Sequence, residues 1–208
     1  MGVKPSLRAT SVGAIGAVGL TLAGPILRRA IGERLAARTE RRLCPVADPG
    51  PYVVPAPAAA LHARMTVVDL HADSLLFGRD LLARASRGHL DVPRMVEGNA
   101  ALQVFAVATK VPRHLNIERN DDRTDDITLI ALGLGWPRAT WGSRLARAEH
   151  QAARLVSFAA QSGGGLTLVR SAADLDAFLG RRAVEPGIVS GLLAFEGAHA
   201  LDDDIANL

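Results

Sequence analysis

The sequence predicts an α/β fold with a parallel sheet, and three observations lead to this prediction. Apolar runs at residues 65–70, 100–108 and 188–195 have the length and continuity of strands buried on both faces of a parallel sheet. Between them, residues 143–161 carry apolar side chains at steps of three and four, which is typical of a helix laid against a sheet. The alternation of such strands and helices indicates an α/β protein.

Shorter elements complete the predicted pattern. Asp91, Val92 and Pro93 have the order of an N-cap followed by proline in the first turn of a helix. Residues 78–87 are also predicted to form a short helix. Further elements are predicted at residues 124–132 (helix), 166–169 (strand) and 172–179 (helix, opened by Ser171).

The composition of the chain limits the classes of protein that it can form. Its 208 residues are 49% hydrophobic and 22% charged, which is sufficient for a globular domain with a core. The net charge is +3, but the basic excess lies mostly in the first 42 residues, without the interleaved aromatic residues of a nucleic-acid surface. We therefore expect no nucleic-acid partner. Cys44 is the single cysteine, which excludes an internal disulfide and a cysteine zinc cluster.

The chain is predicted to have three parts, of which the first, residues 1–43, is membrane-associated. Its residues 9–27 are uncharged, lie between basic flanks and approach the length of a transmembrane helix. An uncleaved anchor is the preferred interpretation; a secretory signal peptide and a helix buried against the main domain are the alternatives. A proline-rich linker, residues 44–60, and a main domain, residues 61–208, complete the predicted organisation.

A basic amphipathic helix is predicted directly after the uncharged stretch. Residues 25–43 place Leu27, Ile31 and Leu35 on one helical face and contain six arginines and two glutamates. This composition suits an anionic lipid surface, although an ordinary solvated helix is an alternative. We expect membrane association through residues 9–43, on a side of the membrane that the basic flanks leave open.

Polar groups follow two of the predicted strands at their carboxyl ends, where α/β proteins place their chemistry. His71 and Asp73 follow the first strand, and Glu196 and His199 follow the last. Imidazole together with carboxylate suits zinc and similar divalent ions, although a hydrogen-bonded turn is the alternative for the first pair. Asp69 and His199 are candidates for hydrogen bonding to a metal ligand, and structural hydrogen bonding is the alternative for both.

Three stretches of the sequence, taken together and in order, resemble the membrane dipeptidase (renal dipeptidase) family of the amidohydrolase superfamily. They are VVDLHADSLL at residues 67–76, GHLDVPRMVEGNAALQVF at residues 88–105 and LAFEGAHAL at residues 193–201. The resemblance covers most of residues 65–208 and none of the N-terminal segment. It implies the N-terminal portion of a (β/α)₈ barrel that holds two zinc ions and a bridging hydroxide and hydrolyses dipeptides, including some with a C-terminal D-residue.

The resemblance also implies roles for individual residues. His71 and Asp73 would hold the first zinc ion, and Glu196 would bridge both ions as the catalytic carboxylate. The family commonly has glycine before the histidine and asparagine after it, where this chain has Leu70 and Ala72. Neither position supplies a metal ligand, so these differences concern packing and the fit of the substrate.

The length of the matching part leads to two contrasting hypotheses. Residues 65–208 number 144, whereas a complete barrel takes about 250. In the family, two histidines for the second zinc ion and the arginine and aspartate that act on the substrate come from later strands. We therefore expect either the N-terminal part of a membrane-associated metallodipeptidase, or a catalytically inactive, membrane-tethered remnant or interaction module. A related amidohydrolase acting on another amide or lactam is a third possibility.

Overall fold

The computed structural model of the protein describes residues 27, 29–46, 50–114, 116–118 and 123–207. The predicted membrane anchor or signal peptide at residues 9–27 lies almost wholly outside these residues. In the part of the chain that is described, no helix combines the length and the apolarity needed to cross a bilayer.

Helices and strands follow one another in the order of an α/β protein. Along the chain they are α1 (residues 29–43), α2 (Ala56–His62), β1 (Val67–Ala72), α3 (Val92–Glu97), β2 (Ala100–Val107), α4 (Asp126–Gly133), α5 (Arg144–Gln161), β3 (Leu166–Leu168), α6 (Ala172–Val184) and β4 (Val189–Phe195). Short 3₁₀ turns lie at Arg138–Trp141, Ala198–Leu201 and Ile205–Asn207. The predicted α/β class is confirmed.

Within the described residues, four strands form one parallel sheet in the order β1-β2-β4-β3. The short strand β3 pairs only with Val189, Ser190 and Gly191 of β4. In a (β/α)₈ barrel each strand is followed by a helix and by its neighbouring strand, so the position of β3 outside β4 departs from barrel order. The parallel sheet is confirmed, and the complete barrel stays a prediction.

The centre of the sheet is buried beneath helices. Phe105 of β2 and Val189 of β4 are 1% and 0% exposed, and they pack in one apolar cluster with Leu155 of α5. Phe178 of α6 packs against Ala101 of β2 in a second cluster. Burial of each large apolar side chain contributes about 1.5–3 kcal/mol, so these contacts stabilise the β2–β4 pair beneath the carboxyl ends of the strands.

The prediction of a buried first strand is wrong. β1 lies at the edge of the sheet, and its residues Val68 and Leu70 are 44% and 74% exposed. A continuous apolar run predicts a strand, but it does not reveal which strand will occupy the edge, because that depends on the pairing of the whole sheet.

Side-chain caps begin three helices, and the sequence predicts two of these caps, Asp91 and Ser171. Asp91, Ser143 and Ser171 each accept a hydrogen bond from the backbone N–H three residues later. Caps are local features, which explains why the sequence identifies them. α6 continues to Val184, past the predicted end at residue 179.

The predicted helix at residues 78–87 is absent, and this segment is an irregular loop. Asp80 accepts a hydrogen bond from the backbone N–H of Leu82 at 2.9 Å, which forms a local turn. Arg79 is only 4% exposed and forms an ion pair with Glu40 of α1. A buried charge must reach its partner, and this requirement outweighs the weak local preference for a helix.

One face of α1 packs against the main domain. Gly32 lies so close to Gly133 of α4 that a Cβ atom at position 32 would overlap the Gly133 carbonyl group. Ala36 joins the apolar cluster around Ile127, and Glu40 is only 2% exposed. The N-terminal helix is therefore in contact with the domain on one side.

Candidate metal centre

Three side chains from the carboxyl ends of β1 and β4 meet at one end of the sheet. His71 Nε2 lies 3.6 Å from Asp73 Oδ2 and 4.0 Å from Glu196 Oε2, and donor atoms of all three lie within 4.8 Å of one another. Donors bound to one ion at about 2.1 Å in a tetrahedral site are about 3.4 Å apart, so modest side-chain movement would place these on one ion. Among the described residues, no other group of histidine, cysteine and acidic side chains has this spacing.

An irregularity in β1 directs His71 towards this cluster. Asp69 pairs with Gln103, and Ala72 pairs with Phe105, so three steps along β1 match two steps along β2. The extra residue forms a bulge, which re-aims the side chains beside it. The backbone N–H of His71 donates to Asp69 Oδ1 at 3.0 Å. The Asp69 carboxylate thus holds the backbone of His71, whereas the sequence suggested that Asp69 could orient the imidazole ring of His71.

The hydrogen bonding of the Asp73 carboxylate indicates whether the cluster suits a cation. Its Oδ1 atom is buried, and no residue in the described ranges donates a hydrogen bond to it. Buried carboxylate oxygens are normally paired, because removing them from water without a partner is costly. The oxygen that lies 3.6 Å from His71 is Oδ2, so a divalent ion would satisfy Oδ1 by contacting both oxygens of Asp73, and imidazole and carboxylate donors suit such an ion.

Glu196 is placed by the regular pairing of β2 with β4. Its backbone N–H donates to the carbonyl oxygen of Val107 at 3.2 Å, which extends the pairing beyond Phe195. Gly197 follows with φ of +79°, a conformation that favours glycine, and the chain turns sharply there. The side chain of Glu196 is 56% exposed and therefore accessible to a ligand.

Asp202 fastens the loop after Glu196 to the N-terminus of α5. Its carboxylate accepts hydrogen bonds from Ser143 Oγ at 2.6 Å and from the backbone N–H groups of Arg144 and Leu145 at 2.9 and 3.2 Å. A negative charge is favourable at this end of a helix. Burial raises the pKa of the Asp202 carboxyl, but these hydrogen bonds outweigh it and hold the pKa below its usual value.

His199 lies outside the cluster. It is an exposed residue of the 3₁₀ turn Ala198–Leu201, and the structure does not bring its ring to the three donors. Its predicted role as a partner of a metal ligand stays a prediction.

A cleft of about 500 Å³ opens beside the cluster. His71 and Asp73 line it from the β1 side, and Arg79 lines it from the loop that follows. Glu40 and Cys44 line it from the end of α1. The N-terminal helix therefore forms part of the wall of the candidate site.

A buried ion pair joins α1 to this wall. Glu40 accepts hydrogen bonds from Arg79 Nε through one carboxylate oxygen and from Arg87 Nε at 2.9 Å through the other. Arg79 also donates to the carbonyl oxygen of Leu90 at 2.8 Å. Gly88 has φ of +75°, and any side chain there would overlap the Arg79 guanidinium group. These contacts fix the loop that lines the cleft.

Glu40, Arg79 and Cys44 are not among the residues that the sequence predicts for the site. One signal was present for Glu40, because Gly32, Ala36 and Glu40 recur at steps of four along the helix. No comparable pattern in the sequence points to Arg79, whose partner lies 39 residues away.

A parallel α/β sheet with imidazole and carboxylate donors at the carboxyl ends of two strands is an arrangement found in metal-dependent enzymes. A sequence model of the family described as "Membrane dipeptidase (Peptidase family M19)" matches residues 56–208. The chain belongs to this family, and the resemblance found in the sequence is confirmed.

Two solved structures are similar to part of the chain. One is the dipeptidase AC, a metallopeptidase of family M19, which is 26% identical with a TM-score of 0.44, over 68% of this chain and 38% of that chain. The other is a metallopeptidase from Rhodobacter sphaeroides liganded with a phosphinate mimic of the dipeptide L-Ala-D-Ala, which is 26% identical with a TM-score of 0.45, over 68% of this chain and 41% of that chain. The chain thus spans about two fifths of the length of these proteins. No curated protein matches the chain.

Proposed function

We propose that the protein serves zinc-dependent hydrolysis of dipeptides. The observation that carries this proposal is the convergence of His71, Asp73 and Glu196 at the carboxyl ends of two parallel strands, in a chain of the membrane dipeptidase family. A (β/α)₈ barrel is the proposed architecture of the complete family domain, of which residues 61–208 would form the N-terminal part.

His71 and Asp73 are the proposed ligands of a first zinc ion, and Glu196 is the proposed bridge to a second. Zinc ions in such a site lower the pKa of bound water and polarise the scissile carbonyl group. The imidazole of His71 must be neutral to coordinate, and the hydrogen bond from its backbone to Asp69 keeps it directed at the cluster. Glu196 offers two carboxylate oxygens on a side chain that is 56% exposed.

The cleft suits a small substrate. Its volume of about 500 Å³ lies within the range of small-molecule sites. Arg79 lines the cleft, but Glu40 and the Leu90 carbonyl oxygen already accept its hydrogen bonds. We therefore assign the substrate carboxylate no partner among the arginines of this wall.

The test is dipeptide hydrolysis by the zinc-loaded chain and by its Glu196→Gln variant, which keeps the size of the side chain and removes its charge. Amino-acid release from a panel of dipeptides, including members with a C-terminal D-residue, is expected to fall more than about 100-fold, because loss of a metal ligand should cost more than loss of a ligand's hydrogen-bond partner. Glu185→Gln is the matched control, because Glu185 is exposed and pairs only with Arg181. Measurable hydrolysis that is equal in the parent and in both variants would refute the proposed role of Glu196.

The alternative, an inactive tethered remnant, has its own signature in the same experiment. Stoichiometric zinc binding without turnover of any dipeptide would favour it. Turnover of other amides or lactams alone would favour a related amidohydrolase.

We also propose that residues 9–43 associate the protein with a membrane. The uncharged stretch at residues 9–27 and the arginine-rich helix that follows support this proposal.

A further inference from the structure

We propose that the exposed face of α1 docks onto an anionic lipid bilayer while its opposite face stays fixed to the wall of the candidate metal cleft. The inference rests on the proposed membrane association and deepens it, because it names the docking surface and the chemistry of the lipid.

The exposed face of α1 combines aliphatic and basic side chains. Leu27, Ile31 and Leu35 are 61%, 49% and 58% exposed, although they are large and apolar. Three exposed arginines are interleaved with them, and at about 100° per residue the five of these side chains that belong to α1 fall within an arc of roughly 100°. We call this surface the docking face; it consists of Ile31, Arg34, Leu35, Arg38 and Arg42 of α1, together with Leu27 before it.

The charge of the docking face is not neutralised by the protein. The two carboxylates of the helix are already engaged, Glu33 with Arg29 and Glu40 with Arg79 and Arg87. Over the described ranges, no acidic side chain forms an ion pair with the three arginines of the docking face. Each arginine near an anionic bilayer adds about fivefold to affinity, so lipid phosphates are the complementary partner.

The opposite face of α1 is occupied by the protein. Gly32, Ala36 and Glu40 lie roughly 110°, 150° and 170° from the centre of the docking face and pack against α4 and the cleft wall. Helices of this composition lie in the plane of the interface with their aliphatic side chains among the lipid headgroups. Docking therefore requires no release of α1 from the domain. The cleft, which Glu40 and Cys44 help to line, would lie beside the bilayer.

Fluorescence of a single probe on the full chain tests the docking face. In a Cys44→Ser background, an environment-sensitive dye is attached to Ile31→Cys or to Val156→Cys of α5. Val156 is the matched control, because it is 47% exposed and its helical neighbours three and four positions away are alanines. With phosphatidylcholine vesicles that contain phosphatidylglycerol, we expect a blue shift and quenching by headgroup-labelled lipid at position 31 and none at position 156.

Neutralising the arginines tests the lipid chemistry. The variant Arg34→Gln/Arg38→Gln/Arg42→Gln is expected to bind phosphatidylglycerol vesicles roughly 100-fold more weakly and to lose the shift at position 31. Arg138→Gln/Arg170→Gln/Arg181→Gln changes the net charge equally on other surfaces and should bind like the parent. Unchanged thermal unfolding of both variants confirms that the domain is intact.

Three outcomes would overturn the inference, and they separate it from membrane association as such. If the chain binds vesicles in a flotation assay but the dye at position 31 stays in water, then residues 9–26 anchor the protein. In that case the proposed role of the docking face is refuted. If the shift is equal on pure phosphatidylcholine, anionic selectivity is refuted. If the chain does not float at all, both proposals fall.

Discussion

The two sides of the candidate metal centre are built differently. On the β4 side, six residue pairs from Leu102–Ser190 to Val107–Phe195 continue without interruption and lead directly to Glu196. On the β1 side, the strand is at the edge, two irregularities interrupt its pairing, and the wall depends on an ion pair from α1. Regular sheet pairing thus positions Glu196, whereas contacts from outside the sheet position His71 and Asp73.

Among the variants that test this difference, removal of the Glu40 carboxylate should reduce the stability of the protein the most. Glu40→Ala leaves Arg79 buried without its main partner, and we expect a loss of about 3–5 kcal/mol in the free energy of unfolding, measured with denaturant. Glu33→Ala on the same helix removes an exposed pair with Arg29 and should cost at most about 0.5 kcal/mol. Similar small losses of unfolding free energy in both variants would mean that α1 does not stabilise the β1 side of the site.

Loss of the hydrogen bond between the Asp69 carboxylate and the His71 backbone should weaken metal binding on the β1 side. Asp69→Ala removes the acceptor for the His71 backbone N–H, and we expect zinc affinity to fall about tenfold in competition with a chromophoric chelator. Asp69→Asn keeps an oxygen acceptor and should bind zinc nearly as well as the parent. Asp80→Ala removes an equivalent bond to Leu82 away from the cluster, and a tenfold loss there would contradict this explanation.

On the β4 side, Asp202 should contribute a smaller, pH-dependent stability. Its pKa is lowered in the folded protein, so the ionised form stabilises the fold above the unfolded value of about 3.9, and this contribution disappears as the pH falls below it. Asp202→Ala should therefore cost about 1–2 kcal/mol at pH 6 and progressively less below pH ~4 in thermal or denaturant unfolding. Asp204→Ala, which removes only a bond to the Ala206 backbone, is the control. A difference that persists undiminished at pH ~2 would refute the ionic contribution.

Truncation of Leu70 should show the smallest effect, and a matched leucine on β2 sharpens the contrast between the strands. Leu70→Ala on β1 is expected to change the free energy of unfolding by less than about 0.5 kcal/mol, because this side chain is already 74% exposed. Leu102→Ala on β2 removes a side chain that is 6% exposed and should cost about 2–4 kcal/mol. Equal losses would show that β1 is covered in solution.

The features that the sequence predicted correctly are those set by short stretches of chain. The strands at residues 100–108 and 188–195 and the caps of α3 and α6 need only an apolar run or one side chain beside its own backbone. The motifs that carry the family resemblance are also contiguous, which is why His71, Asp73 and Glu196 could be proposed together before their distances were known.

The features that the sequence did not predict depend on partners far along the chain. The edge position of β1, the bulge before Ala72 and the place of β3 beside β4 are properties of the whole sheet. The loop at residues 78–87 takes its path from a carboxylate 39 residues earlier, which no local pattern reveals. Metal identity, the second ion and the roles of Asp69 and His199 remain predictions.

The position of Cys44 offers a way to follow the attachment of α1 in time. Its carbonyl oxygen accepts a hydrogen bond from the Gly88 backbone N–H at 3.1 Å, and its thiol is partly shielded at the edge of the cleft. Because it is the single cysteine, thiol-labelling kinetics of the unmodified protein would report local opening of this junction separately from global unfolding. The rate of modification would thus give the opening free energy of the N-terminal helix without any engineered probe.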